Sequence, residues 1–243
     1  MIDVDSLPQA SKVACVECHL SRICLPSGMP APEISALSRL VRRNRTLFKG
    51  EIIYRAGKRF SGIFALKSGS AKLVHIDALG RESLIALQLP GELIGFDGLA
   101  SGRHRCTLIA LETTTYCELP AHELEALGQR LPTVQQTLLQ RTGEQFDLSI
   151  ERLAASQKPA EERLAGFLLD LAARYRRRDL AFERFQLSLT RQEIGHHLGL
   201  ALETVSRALG RFEDSGVLKV QGKQVAILDL KALAKVAGEA DPH

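Results

Sequence analysis

The sequence predicts an α+β chain: a β-roll of the jelly-roll kind, then a long helix, then a C-terminal winged helix-turn-helix. Three observations carry this. Glycines at 50, 57, 62, 69, 80, 91, 95, 98 and 102 punctuate short apolar runs, the pattern of many short strands joined by tight turns. Between Pro132 and Pro159 no proline or strand-like alternation interrupts a helical stretch. After Thr190 a capped helix, a glycine turn, a second helix and a hairpin follow in that order.

The order of elements can be justified from the start of the chain. Residues 1–29 hold three cysteines and end in Pro26-Ser27-Gly28-Met29-Pro30, a composition that favours turns. Within a roll domain of residues 30–130, Ile34, Leu37, Leu40 and Val41 predict a first helix. Strands are predicted at Glu51–Tyr54, Ile63–Leu66, Ala71–His75 and Ser83–Leu87, with the last near Thr113–Leu119. Residues 131–158 form the long helix, in which Leu139, Phe146, Ile150 and Leu153 are spaced as an a/d seam that a second copy could cover. Thr142 and Gly143 weaken that seam, and the alternative is a stripe packed on its own roll. Pro159 opens the last domain, residues 159–243, whose first helix is amphipathic through Leu164, Phe167, Leu168 and Leu171. The arginines at 174, 176, 177 and 178 suit a solvated helix C-terminus.

Bulk properties exclude some classes. The 243 residues are 45% hydrophobic and 25% charged, with a net charge of +4, too little to argue for nucleic acid by itself. No run approaches the roughly 18–20 apolar residues of a membrane span. Met1-Ile2-Asp3-Val4-Asp5 is not the start of a secretory signal, so a cytoplasmic chain without a membrane partner is expected. No phosphate loop, H-E-x-x-H or G-x-S-x-G motif suggests an enzyme. His196-His197 reads as a pair of surface histidines.

Five cysteines in an odd count do not make a disulfide framework. Cys15, Cys18 and Cys24, three within ten residues of a polar segment, call for a metal.

The DNA-reading element is more explicit. Thr190-Arg191-Gln192-Glu193 is a capping box. Gly199 breaks the helix it opens, and a second begins near Ala201. Ile194, Leu198, Val205 and Leu209 join the pair, leaving Glu203, Ser206 and Arg207 outward, where base edges of double-stranded DNA are read. Thr190 and Thr204 are further candidate contacts. Gly216 ends the helix, and the hairpin turning at Gly222 is a wing that places Lys219 and Lys223 near phosphates.

Roll, long helix and winged helix in this order resemble the cyclic-AMP receptor / fumarate-nitrate reduction regulator superfamily over almost the whole chain. Glu203-Thr204-Val205-Ser206-Arg207 looks like the E-x-x-S-R signature of its fumarate-nitrate regulator branch. Gly91-Glu92-Leu93-Ile94-Gly95-Phe96-Asp97 and Ala110-Leu111-Glu112-Thr113 also look like that branch. C-x2-C-x5-C at Cys15, Cys18 and Cys24, with Cys117 in Tyr116-Cys117-Glu118-Leu119-Pro120, is the arrangement of its four cluster ligands. The resemblance implies a cyclic-nucleotide-binding-like roll and one 4Fe–4S cluster per subunit. It also implies a homodimer on TTGAT-type palindromes, contact with RNA polymerase, and loss of cluster, dimer and DNA binding in oxygen. Four thiolates suit a cubane, and His19, beside Cys18, falls where a neighbour tunes such a cluster. Cys106 lies outside the pattern as a buried structural thiol.

Other readings remain at this point. Four cysteines also make structural zinc sites, and a winged-helix regulator with zinc or a small-molecule effector is the alternative. Cys15-Val16-Glu17-Cys18-His19 matches the c-type haem motif, which belongs to exported proteins. Cyclic nucleotide is not expected as a partner. Phe96 stands about where the receptor branch has its acidic ribose ligand, and Arg105-Cys106 where it has its arginine–serine pair.

Overall fold

In the computed structural model, residues 14–43, 46–124 and 131–239 are described; the acidic start of the chain lies outside them. The chain divides into two compact units, residues 1–144 and 145–243.

In the first unit α1 (Ala31–Leu40) carries a proline in its first turn, where the missing amide hydrogen costs nothing. Eight strands follow: β1 (Arg42–Arg43), β2 (Ile52–Tyr54), β3 (Gly62–Ser68), β4 (Ala71–Ile76), β5 (Glu82–Gln88), β6 (Leu93–Ile94), β7 (Thr107–Ala110) and β8 (Thr115–Pro120). They form two antiparallel sheets of four, ordered β1-β8-β3-β6 and β2-β7-β4-β5. Tyr54, Phe64, Leu66, Ala71, Ile94 and Leu108 pack between them. The opposite face of the first sheet is also covered. Ile63, Leu93 and Leu119 pack there with Leu25, Met29, Leu37 and Val134. Burial on both faces is why Ile63-Phe64-Ala65-Leu66 reads as a continuous apolar run, with no alternation. Three strands carry no sequence signal. β1 and β6 are two residues long, and β7 is a short apolar run with no glycine beside it.

The long helix, α2, spans Pro132–Ala155, and Val134 is its buried residue. Along the stripe Leu139 and Phe146 are 68% exposed, Ile150 52% and Leu153 72%.

In the second unit α3 (Ala160–Arg176) buries Leu164, Phe167, Leu168 and Leu171, as its periodicity predicts. It is followed by β9 (Arg184–Gln186), α4 (Arg191–Leu198), α5 (Leu202–Asp214), β10 (Leu218–Gln221), β11 (Gln224–Ile227) and α6 (Leu230–Ala237). The predicted hairpin is β10–β11, and β9 adds a third strand on β11. β9 has one buried residue, Phe185, too few to show a period. Asp229 caps α6 through the Ala232 amide at 2.9 Å.

Candidate metal centre and DNA-reading surface

The cysteine-bearing turn is held from three sides. The Cys15 amide donates to Ser38 Oγ of α1 at 3.1 Å. Leu20, Leu25 and Met29 are buried beneath the turn. Ile23 fills a space that exists only because residue 91 is glycine: a Cβ at Gly91 would lie 2.8 Å from the Ile23 side chain, and its φ of +85° itself favours glycine.

Cys117 meets this turn from the sheet. On β8 it pairs with Ala65 of β3 and Arg43 of β1, and alternation puts it on the face of Leu119, which packs against Leu25 and Met29. Cys15, Cys18, Cys24 and Cys117 line one cavity of about 50 Å3 with Ala65, Leu93 and Leu119. The small side chain of Ala65, opposite Cys117, leaves this space open. Burial pushes the Cys24 thiol up to about 12, with the other three cysteines adding to the rise. Binding a metal group here therefore has to displace protons. Among the described residues no three histidine, cysteine or acidic side chains converge on a single ion. The thiols stand instead around the wall of the cavity.

His19 is exposed and is not on that wall. Its ring therefore faces solvent, although its backbone adjoins Cys18. Cys106 is 7% exposed, with its amide bonded to Asp97 Oδ2 at 2.9 Å. Burial, then the Asp97 charge, raises its thiol to about 11. The Arg105 amide shares that carboxylate oxygen at 2.8 Å, and Phe96 is packed into the outer core of the roll. Ser38, Ala65 and Gly91 shape the thiol site, and nothing in the sequence signals that role, because each acts on a residue far along the chain. Lys67 also lines the cavity.

In the second unit Thr190 Oγ1 accepts the Glu193 amide at 3.2 Å, while the Thr190 amide donates to Glu193 Oε2 at 2.8 Å. Both groups of the capping box are present, so the Thr190 hydroxyl is engaged in starting α4. Gly199 ends that helix at φ +64°. The following turn is tight: the Leu200 carbonyl would lie 2.6 Å from a Cβ at Gly195. Ile194, Val205 and Leu209 are buried and Leu198 is half-buried. With that face inward, Glu203 and Arg207 are exposed on one side of α5, and Thr204 and Ser206 are half-buried beside them. Lys223 is exposed in the two-residue turn with Gly222, and Lys219 is exposed on β10.

Comparison with known proteins places these features. Residues 162–236 match the Crp-like helix-turn-helix domain and residues 44–130 the cyclic nucleotide-binding domain. The chain is 39% identical to the transcriptional activator protein Anr of Pseudomonas aeruginosa, over 98% of this chain and 96% of that one. It is 37% identical to the fumarate and nitrate reduction regulatory protein of Escherichia coli K12, over 93% and 91%. The solved structure of FixK2 from Bradyrhizobium japonicum is 27% identical, with a TM-score of 0.72, covering 84% of this chain and 99% of that one. The relatives are regulators, not enzymes. With this similarity along nearly its full length, the chain belongs to the fumarate-nitrate reduction regulator branch of the cyclic-AMP receptor / fumarate-nitrate regulator family and is a DNA-binding transcription regulator.

Proposed function

We propose that this regulator responds to oxygen through one 4Fe–4S cluster per subunit, held by Cys15, Cys18, Cys24 and Cys117, and binds TTGAT-type palindromes as a homodimer under low oxygen. The single observation that carries this reading is the convergence of four thiols on one apolar cavity. Three cysteines on one turn and a fourth on the sheet, all lining one cavity, suit a polynuclear group. Thiolates at about 2.3 Å from one ion crowd together, whereas a cubane holds its four thiolates apart with its own irons and sulfides.

When bound, the cluster supplies a cross-link that oxygen destroys, and with it the anaerobic DNA binding. The chain's own residues provide the route onward. Leu25 and Met29, on the segment that carries Cys24, share a core with Val134 of α2. Glu33 of α1 accepts the Thr133 hydroxyl of α2 at 3.2 Å. A change in how the turn seats on the sheet therefore reaches the start of α2, whose exposed stripe of Leu139, Phe146, Ile150 and Leu153 fits a second copy. In this reading Glu203, Ser206 and Arg207 read bases, with Thr204 beside them, and Lys219 and Lys223 meet phosphates. Thr190 sets the start of the first helix of the pair. His19 acts on the site only from its solvent side. Bound at a promoter, the dimer contacts RNA polymerase.

The deciding experiment is an anaerobic gel shift on a TTGAT-N4-ATCAA duplex, before and after air, with iron and sulfide quantified. Binding that is lost in air together with iron and sulfide is expected. Binding that survives air unchanged, or a colourless protein carrying zinc under anaerobic conditions, refutes the cluster reading and leaves DNA binding intact.

A further inference from the structure

The first unit has a second concavity, which shares no lining residue with the thiol cavity. It measures about 550 Å3 and is lined by residues 50–55 together with Lys58, Arg59, Ser61 and His104. Arg55, Lys58 and Arg59 are exposed on its wall. Among the described residues none of these three is in an ion pair. The carboxylate on the wall, Glu51, is engaged with the Phe48 amide at 2.6 Å.

His104 differs from the three cations. It is 2% exposed, and its ring stacks on Tyr54 with centroids 3.8 Å apart. Nδ1 lies 3.4 Å from Asp97 Oδ1. That carboxyl also takes the Tyr54 hydroxyl at 3.3 Å and the amides of Arg105 and Cys106. Burial works against the charge, but the bonds from His104 and the two amides hold Asp97 below the usual carboxylate range. Asp97 is thus a carboxylate, and it orients the ring with Nδ1–H toward itself. The other nitrogen, Nε2, is buried and has no hydrogen-bond partner among the described residues. A buried, oriented nitrogen left unpaired is costly, and such a group calls for an explanation.

We propose that this concavity binds a phosphate-bearing anion, with Arg55, Lys58 and Arg59 around it and His104 behind it. With Nδ1–H on Asp97, Nε2 offers a lone pair, which suits the O–H of a singly protonated phosphate. Phosphate suits the site better than a carboxylate because its oxygens diverge toward several donors at once. The phosphate can belong to a free phosphorylated metabolite or to the DNA backbone. The site is independent of the cluster and does not rest on it.

The test uses the full chain. Pyrophosphate is titrated calorimetrically, with sodium chloride of matched ionic strength as control. Saturable binding is expected, weakened at least about tenfold, about 1.4 kcal/mol, in the Arg55→Ala/Lys58→Ala/Arg59→Ala variant. His104→Gln gives a second reading where it folds. The triple variant is also compared in DNA affinity as a function of salt. Pyrophosphate binding lost in the variant, with DNA affinity unchanged, identifies a free phosphate ester. Weaker DNA binding with a shallower salt slope, and no pyrophosphate binding, identifies backbone phosphate. Neither effect, or pyrophosphate binding equal in both proteins, overturns the proposal.

Discussion

The amide of Cys15 donates to Ser38 Oγ at 3.1 Å, tying the first of the four thiols to α1 across 23 residues. Through that bond α1 restrains the turn. Ser38→Ala removes about 1 kcal/mol of local restraint. Loss of iron in air, followed by absorbance, is expected to quicken about fivefold at that cost. An unchanged rate shows that the bond does not hold the turn.

Cys117 lies on β8, whereas Cys106 sits in the bend just before β7 of the other sheet, and the pair distinguishes the site from its surroundings. Cys117→Ser is expected to abolish iron and sulfide binding in anaerobically prepared protein. Cys106→Ser, whose thiol is turned into the core around Asp97, is expected to leave both in place and cost about 1 kcal/mol in urea unfolding. Equal iron content in the two variants contradicts the ligand assignment.

The stripe on α2 gives a prediction in two opposite directions. Phe146→Asp places a charge at a position 68% exposed, so the fold is expected to be unaffected while sedimentation shifts from dimer to monomer; an unchanged dimer argues against the seam. At Gly143 a Cβ would meet nothing within 4 Å. Gly143→Ala is therefore expected to stabilise the helix by about 0.5–1 kcal/mol. If the alanine also weakens the dimer, the two helices pass close to each other at this glycine.

Arg207 and Lys223 are expected to fail differently. Arg207→Ala costs about 1–3 kcal/mol on the preferred duplex and relaxes preference at one base pair. Lys223→Ala weakens binding to all sequences alike and lowers the salt slope by about one. Uniform loss in the Arg207 variant argues against a base contact.

The local patterns in this chain were legible because each is carried by neighbours. Thr190 and Glu193 are three residues apart, and the capping box they form needs nothing beyond that turn. The long helix, the glycine-punctuated roll and the first helix of the second unit are likewise periodicities of contiguous residues. The Cys15, Cys18 and Cys24 spacing was visible for the same reason, while Cys117 joined it only through resemblance.

What the sequence by itself determined, then, is the order of elements, the helix pair that reads DNA, and the types of side chain offered to a metal. Tertiary structure alone decided that Ala65 makes room beside Cys117, that Gly91 admits Ile23, and that Leu25 and Met29 share a core with Val134. It also decided that His19 faces solvent and that the α2 stripe is bare. The physical reason is common to all of these. Each depends on which distant segments meet, as the register of β8 on β3 sets Ala65 beside Cys117, and on which side chains are left uncovered. No local period records which distant residue will stand opposite.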